Sequence, residues 1–475
     1  MTTNKHNSPA VFILFPAIAM LLGWGLRGYI GGGPFGALIP GCYVALSLAL
    51  LLGYRPETAA MAAVFGAVGI GYGGEMTYGQ TLGFLTEKET IYWGLLGCFV
   101  KGGIWGLLGG AVLGAGLTRD TYDRKTLVVA FIITIIAFYI GVKLINEPKL
   151  IYFSNREDKP RDESWAGLLF AAIAFLSYLR IRGTRESIAI PLRFALWGAL
   201  GGSIGFAGGA LWLAFGKYIP VNQDFASWWK MMEFTFGLLL GAAFGFCAYQ
   251  NRDRLRVAGQ RGEFPPEGVM PLMGALAFVV AIFVAFPLLG TSLPEDFAKA
   301  PSWNALIMRD VLRVIFGFTF FGGVAICLGL WSRMAAWHIA VTLTFFHTVL
   351  DYTRDLSEVR NFGYVLPLWA QLAVLFTATG IVAYLVHRFQ RGPDAVSRLL
   401  LLVLWSCYLA ACVRSFARWE FFSAPEGLSA WAVLVQKEPS IIFVHGTFTI
   451  SLLITTWYVV SSSSDAKGGR DPGTA

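Results

Sequence analysis

Long apolar runs recur from one end of this chain to the other, and they constrain its fold more than any other feature. A bilayer needs about 20 consecutive apolar residues for each crossing helix, and such runs begin near Ala10 and continue to about Ser461. Hydrophobic residues make up 56% of the 475 positions and charged residues only 14%, whereas about a quarter of a soluble domain is charged. The sequence therefore predicts an all-α, polytopic transmembrane helix bundle that is rich in glycine.

The hydrophobicity pattern predicts about 14 transmembrane helices. Their predicted spans are 11–30, 35–53, 58–80, 91–117, 127–145, 165–180, 190–215, 227–249, 269–289, 312–332, 335–351, 365–387, 397–413 and 440–461. The glycines and proline at 31–34 leave two alternatives for the first two helices, which either cross fully or meet in a re-entrant turn. Residues 1–461 are thus interpreted as one transmembrane domain, and the Ser-, Gly- and charge-rich residues 462–475 as a disordered cytoplasmic tail.

The loops between these helices carry the charge that sets orientation. Their basic clusters include Arg124, Arg185, Arg254, Arg333 and Arg391, and two predicted helices separate each cluster from the next. All clusters therefore face one side of the membrane, which the positive-inside rule assigns to the cytoplasm together with both termini. This topology predicts a multi-pass protein of the bacterial inner (cell) membrane. It also accounts for the net charge of +8 without a nucleic-acid partner.

Short glycine-containing motifs predict an internal repeat. The matching segments, which share one offset, are 66–69 with 198–201 and 107–109 with 239–241. Helices three and four (58–117) would then repeat as helices seven and eight (190–249) in the same orientation, an arrangement known among transporters. Glycine-rich membrane helices also resemble one another by composition alone, so chance similarity is the alternative.

Two charged residues are predicted to lie within the hydrocarbon core. Lys101 is about ten residues into the fourth helix, or roughly 15 Å deep, and Glu233 occupies the equivalent position of the eighth helix under the repeat offset. A charge at that depth costs several kcal/mol, so intramembrane ionisable residues are functional candidates. We expect Lys101 and Glu233 to face the protein interior and to pair or share a polar cavity, with a purely structural ion pair as the alternative.

Other candidate substrate-binding residues are predicted at the outer ends of helices. They are Arg27, Glu75, Arg309, Arg313, His347, Asp351, Arg354, Arg414 and Arg418. Arginines four residues apart share a helix face and suit carboxylate or phosphate groups, because the guanidinium fork binds them bidentately. His347 and Asp351 have the spacing of a base and its orienting partner. The pattern predicts an Arg-rich vestibule that faces outward, with interfacial salt bridges as the alternative.

The sequence contains no motif for cofactor chemistry. The five histidines lack HxxxH spacing and the six cysteines form no CxxC pair, so neither a metal site nor another cofactor is predicted. No serine or cysteine has a recognisable nucleophile motif. The expected partners are the lipid bilayer and a small solute or lipid-linked substrate.

Charge placement leaves three functional interpretations. The first is a transporter or channel-like protein for a small, anionic solute, supported by the glycine-rich helices, the repeat and the intramembrane charges. The second is a membrane-embedded enzyme, for instance a transferase that acts on a lipid-linked substrate at an outward-facing site. The third is a non-catalytic subunit of a membrane complex. A cavity at Lys101 and Glu233 would favour transport, whereas a groove open sideways to lipid would favour the enzyme.

Overall fold

A computed structural model of the chain describes residues 8–30, 32–155, 161–261, 317–357, 367–418, 429, 432, 435 and 439–468. Regular secondary structure in these ranges is entirely helical. The helices are α1 (Pro9–Ile30), α2 (Gly33–Gly36), α3 (Leu38–Leu52), α4 (Pro56–Gly73), α5 (Gly79–Gly83), α6 (Ile91–Leu117), α7 (Arg124–Gly141), α8 (Trp165–Arg182), α9 (Arg185–Phe215), α10 (Trp228–Gln250), α11 (Arg252–Gly259), α12 (Phe318–Trp331), α13 (Arg333–Trp337), α14 (Thr344–Ser357), α15 (Leu368–Phe389), α16 (Ala395–Arg418) and α17 (Pro439–Gly468). Shorter segments are the 3-10 turns Arg119–Thr121 and Gly216–Tyr218 and the π-helices Val142–Asn146 and His338–Leu343.

Ten segments of the described chain are long and apolar enough to cross a membrane. Their bounds are Pro9–Ile30, Gly33–Leu52, Ile91–Leu117, Arg124–Asn146, Trp165–Arg182, Arg185–Tyr218, Trp228–Gln250, Trp369–Phe389, Ala395–Ser415 and Pro439–Ser462. They indicate an integral, multi-pass membrane protein, in line with the apolar runs of the sequence. The predicted helix at 269–289 lies outside the described residues, and the total of about 14 stays a prediction.

Glycine and proline set the boundary between the first two apolar helices. α1 ends at Ile30, and Gly32 and Gly33 then have φ angles of 44° and 63°, which L side chains rarely adopt. Pro34 lies in the first turn of α2, where a missing amide hydrogen leaves no helical bond unmade. Gly53, with φ of 67°, ends α3 in the left-handed conformation that caps many helices. The chain therefore forms two separate apolar helices here, α1 and the α2–α3 unit.

Six helices, α1, α3, α4, α6, α9 and α10, pack in a closed ring in which each contacts its two neighbours. Glycines make these contacts close. A Cβ added at Gly106 of α6 would lie 1.8 Å from the carbonyl oxygen of Gly198 on α9, and one at Gly41 of α3 would lie 2.4 Å from that of Gly66 on α4. The backbones of neighbouring helices are thus in direct contact at these glycines. Small residues permit such contacts between membrane helices, whose association has no hydrophobic driving force in lipid.

The other described helices surround this ring. α7 packs against α8 and α12, and α17 packs against α1 and α16. α7 presents Ile132 and Ile136 as exposed side chains, which suits a lipid-facing surface. α17 continues to Gly468, beyond the predicted start of the tail at residue 462. The hydroxyl of Ser462 donates to the carbonyl of Tyr458 at 2.8 Å, so this side chain is satisfied within the helix.

Candidate functional site

Lys101 is buried, with 1% of its side chain exposed, and its ammonium group pairs with Glu163. Its Nζ lies 2.7 Å from Oε1 of Glu163 and also donates to the carbonyl of Thr77 at 2.6 Å and to the hydroxyl of Thr81 at 2.9 Å. The predicted pair of Lys101 with Glu233 is therefore wrong. The residues before α8 fold back over α6 and supply the carboxylate that pairs with Lys101. The spacing of residues within the apolar runs did not predict this partner.

Glu233 has its own cation three residues earlier on α10. Its Oε2 lies 2.6 Å from Nζ of Lys230, and its Oε1 accepts a hydrogen bond from the indole of Trp229 at 3.0 Å. Lys230 also donates to the carbonyl of Gly25 on α1 at 3.2 Å. Both charged groups are buried. Residues three apart adjoin on a helix, so this pair is local, and the repeat-based reasoning overlooked it.

Arg27 is buried near the end of α1, inside a cage of aromatic rings. Its Nη1 donates to the hydroxyl of Tyr78 at 2.6 Å. Its guanidinium carbon lies 5.6, 5.4 and 5.1 Å from the ring centres of Trp24, Tyr78 and Trp105. Aromatic faces stabilise a desolvated cation in this way. Tyr78 immediately follows the residue whose carbonyl binds Lys101, so one turn of chain touches both buried cations.

A hydrogen-bonded chain that the sequence did not predict joins α1, α16 and α17. The hydroxyls of Tyr29 and Ser415 lie 2.5 Å apart, and the Ser415 hydroxyl lies 2.7 Å from Nε2 of His445. The Tyr29 ring also faces two cations, with Lys230 Nζ at 5.5 Å and the guanidinium carbon of Arg414 at 6.0 Å from its centre. These groups come from distant parts of the chain, so no local motif could have revealed them.

The remaining predicted site residues are separate from this region or not described. The ring of His347 stacks on Phe35 with centres 5.1 Å apart, and α14 contains both His347 and Asp351. The side chains of Asp351, Arg354 and Arg418 are outside the description, as are Arg309 and Arg313 entirely. The fold therefore brings Arg27, Glu233 and Arg414 to one region of the protein. The wider Arg-rich vestibule stays a prediction.

A cleft of about 350 Å³ lies beside the Lys101–Glu163 pair. Its walls are the end of α7, the residues before α8, the turn after α4 and the start of α12. Its polar lining residues are Glu75, Asn146, Glu147, Lys149, Arg161, Asp162, Glu163, Ser164 and Thr319. The hydroxyl of Ser164 donates to the carbonyl of Glu75 at 2.7 Å, which fastens the wall before α8 to the turn after α4.

Two departures from regular backbone shape this cleft. α7 continues as the π-helix Val142–Asn146, where the amide of Glu147 donates to the carbonyl of Val142 at 2.9 Å. Lys149 then has a φ of 55°, in the left-handed region, which costs a residue with a side chain on the order of 1 kcal/mol. Such turns and strained residues persist only where the surrounding structure holds them in place, and they concentrate at functional sites.

Two buried polar side chains that line the cleft have atoms with no hydrogen-bond partner in the described structure. Asn146, 4% exposed, accepts hydrogen bonds from the amides of Ala166 and Gly167 through Oδ1, whereas its side-chain nitrogen donates to none. The hydroxyl of Thr319, 5% exposed, also lacks a partner. An unsatisfied buried polar group costs about 1–3 kcal/mol, so a ligand that bonded to both groups would recover that energy.

Glu75 lines the same cleft from the turn after α4. Its Oε1 accepts a hydrogen bond from the backbone amide of Thr319 at 3.2 Å. Burial raises the pKa of this carboxyl to about 7, because the charged form loses its hydration, and the bonds from backbone amides oppose the rise only in part. Near neutral pH the side chain can therefore either donate or accept a hydrogen bond. Perturbed carboxyls of this kind are candidates for binding or proton transfer.

An apolar groove of about 440 Å³ lies between α7 and α12. Its lining residues are Val128, Phe131, Ile132, Ile135, Phe320, Gly323, Val324, Cys327, Leu328 and Trp331. Ile135 lines both the groove and the cleft. Ile132, which lines the groove, is half exposed, so the groove is open at the surface of α7 in the described structure.

The assignment of this site rests on geometry, since comparison with protein-family models, with curated proteins and with solved structures finds no match for this chain. Sequence reasoning missed Asn146, Glu163 and Thr319. Glu163 lies in the predicted loop 147–163, where acidic and basic residues are nearly balanced, and Thr319 is an ordinary residue of an apolar helix. Asn146, a polar residue at the end of an apolar run, was the one available signal.

Proposed function

We propose that this protein binds a lipid-linked substrate that enters sideways from the bilayer. The polar head of the substrate occupies the cleft, and its apolar chain occupies the groove. The observation that carries the proposal is that the cleft and the groove adjoin, with Ile135 in the lining of both. Ligand sites are typically concave and largely apolar, with a few convergent polar groups that fix orientation. This arrangement supports the membrane-embedded enzyme among the three interpretations, with Glu75 as the candidate proton-exchanging group.

The dimensions of the groove fit one leaflet of a membrane. Thr319, in the cleft, and Trp331, at the far end of the groove, are both on α12. Twelve residues of helix extend about 18 Å, and half of a hydrocarbon core is about 15 Å thick. An acyl or prenyl chain could therefore lie along the groove while its head reaches the polar cleft.

Solute transport through the centre of the ring has less support. Lys101 and Glu233 are each paired with another ion inside packed helices, and neither lines the cleft or the groove. We place the cleft on the outer side of the membrane, because one predicted helix separates the loop 147–163 from each of the basic loops near Arg124 and Arg185, which are assigned to the cytoplasm. We also propose the internal repeat, a total of about 14 transmembrane helices and a cytoplasmic location for both termini.

Filling the groove tests the proposal. A Cβ at Gly323 would lie 3.1 Å from Ile135 and would point a larger side chain into the groove, so Gly323→Phe should exclude an apolar chain. Gly380 on α15 has no atom within 4 Å of such a Cβ, which makes Gly380→Phe the matched control. The readout is the lipid that co-purifies with each variant in detergent, identified and counted by mass spectrometry.

We expect the wild type and Gly380→Phe to retain the same amphiphile and Gly323→Phe to lose most of it. Val324→Phe reaches the same groove from a half-buried position and serves if the glycine variant does not fold. Equal retention by all folded variants would contradict lateral binding.

A further inference from the structure

We infer that the head group bound in the cleft is uncharged and rich in hydroxyl groups, as in a glycosylated lipid. This inference rests on the proposed lateral binding of an amphiphile and names the chemistry of its head. It comes from the side chains that line the cleft interior and from which of their atoms are still available.

The cleft interior offers both hydrogen-bond donors and acceptors. Within the part of the chain that the structure describes, the side-chain nitrogen of Asn146 is an unused donor, and the hydroxyl of Thr319 is unused in both roles. Glu75 adds a carboxyl at the same place, with one oxygen bonded to the amide of Thr319. A hydroxyl group donates and accepts at once, so several hydroxyls on one ring can satisfy such a mixed set.

An anionic head would meet carboxylates in this interior. Glu75 and Glu163 both line the cleft, and the ammonium group of Lys101 is already bonded to Glu163, Thr77 and Thr81. All three protons of that ammonium group are therefore used within the protein. The basic side chains that line the cleft are Lys149 and Arg161, and Glu147 and Asp162 line it with them. Among the residues that the structure describes, the lining thus lacks the excess of arginine or lysine that phosphate sites use.

A cationic head has less support than a hydroxylated one. The carboxylate of Glu163 is neutralised by Lys101, and Glu147 and Asp162 are exposed, with Glu147 paired to Lys143. Among the described residues, Glu75 is thus the interior carboxyl that could face an ammonium group. An ammonium group can only donate hydrogen bonds, and the side-chain nitrogen of Asn146 is also a donor. This nitrogen would therefore stay without a hydrogen-bond partner. Hydroxyl groups satisfy both side chains, which is why we choose them.

The test compares lipids with identical acyl chains and different heads on the full-length protein. The probes are monoglucosyl diacylglycerol, diacylglycerol and phosphatidic acid, titrated by native mass spectrometry. The detergent is an oligo-oxyethylene ether, because sugar detergents would compete for the cleft. Thr319→Val removes the unused hydroxyl at constant shape. Thr134→Val on α7 is the control, since Thr134 bonds to the carbonyl of Ala130 and does not line the cleft.

We expect the glucosyl lipid to bind at least about fivefold more tightly than the other two lipids, which corresponds to one net hydrogen bond. Thr319→Val should weaken the glucosyl lipid by about fivefold to tenfold, leave diacylglycerol binding unchanged and keep the melting temperature. Thr134→Val should not change either affinity.

The outcomes separate the two proposals. Equal affinity for all three lipids, or tightest binding of phosphatidic acid, would overturn the hydroxylated head while leaving lateral binding in place, provided that Gly323→Phe abolishes the binding. An absence of any binding that is sensitive to Gly323→Phe would overturn lateral binding itself.

Discussion

The two buried ion pairs at the helical ring and the neutral side chains of the cleft beside it differ in how completely their polar atoms are bonded. In the ring, the ammonium of Lys101 uses all three of its hydrogen bonds, and Lys230 pairs with Glu233 at 2.6 Å. In the cleft, the buried side chains of Asn146 and Thr319 each retain an unbonded polar atom. Charges inside a membrane must be compensated within the protein, whereas unsatisfied neutral groups are tolerable where a ligand can reach them. The two ion pairs are therefore interpreted as structural, and the cleft as functional.

The largest test of this contrast removes the cation of the ring. Lys101→Met should leave Glu163 buried without its partner and destabilise the protein by about 3–5 kcal/mol, measured as resistance to unfolding in detergent and denaturant. Adding Glu163→Gln should restore much of the loss, because the uncompensated charge is gone. Adding Glu233→Gln instead should give additive damage, since Glu233 belongs to the other pair. Rescue by Glu233→Gln would mean that the two ion pairs are one network.

A second test addresses the close packing of the ring. Gly106→Ala should force α6 and α9 apart, because its Cβ would lie 1.8 Å from the carbonyl oxygen of Gly198, and overpacking costs about 1–3 kcal/mol. Gly208→Ala on α9 is the control, since nothing lies within 4 Å of a Cβ there. That control should be neutral or stabilising by under about 1 kcal/mol. Equal melting temperatures for both variants would show that the ring tolerates separation.

A third test addresses the carboxyl of the cleft. The pKa of Glu75 is about 7 in the folded protein, above its ordinary value near 4.5, so the folded state binds more protons between these pH values. Stability supplied by the protonated form should thus be lost as the pH rises from about 5 to about 7. Relative to Glu75→Gln, the melting temperature of the wild type should fall across that interval.

Glu147→Gln is the control for this pH dependence, because it removes a carboxylate of the same cleft that is already exposed and paired with Lys143. Its melting temperature should follow the wild type across the same pH range. A wild-type curve parallel to that of Glu75→Gln would refute the raised pKa.

The helices were largely predictable from the sequence, whereas the site was not. The fourth apolar run predicted a helix over 91–117, and α6 spans those residues. Apolar length is a local property that a bilayer imposes directly. Glu75 and Lys101 were also selected, because polar residues in apolar runs are costly and therefore conspicuous.

The partners of these residues depend on how the chain folds back on itself. Glu163 reaches Lys101 only because the residues before α8 lie over α6, and Thr319 reaches Glu75 only through the packing of α12 near the turn after α4. Lys230 lies three residues from Glu233, so this pair could have been found from spacing alone. The proposed equivalence of Lys101 and Glu233 instead assigned Glu233 to a partner on another helix.

The π-helical segment Val142–Asn146 has a consequence for the tolerance of this region to changes in chain length. An α-helix rotates by about 100° per residue, and a π turn takes up one residue more than an α turn. Deleting one residue here would let α7 finish as a regular helix, and it would rotate Asn146 by about 100° away from the amides of Ala166 and Gly167 that it now caps. The direction in which the Asn146 side chain points thus depends on a single extra residue in the helix. The insertion of one residue would be enough to supply it.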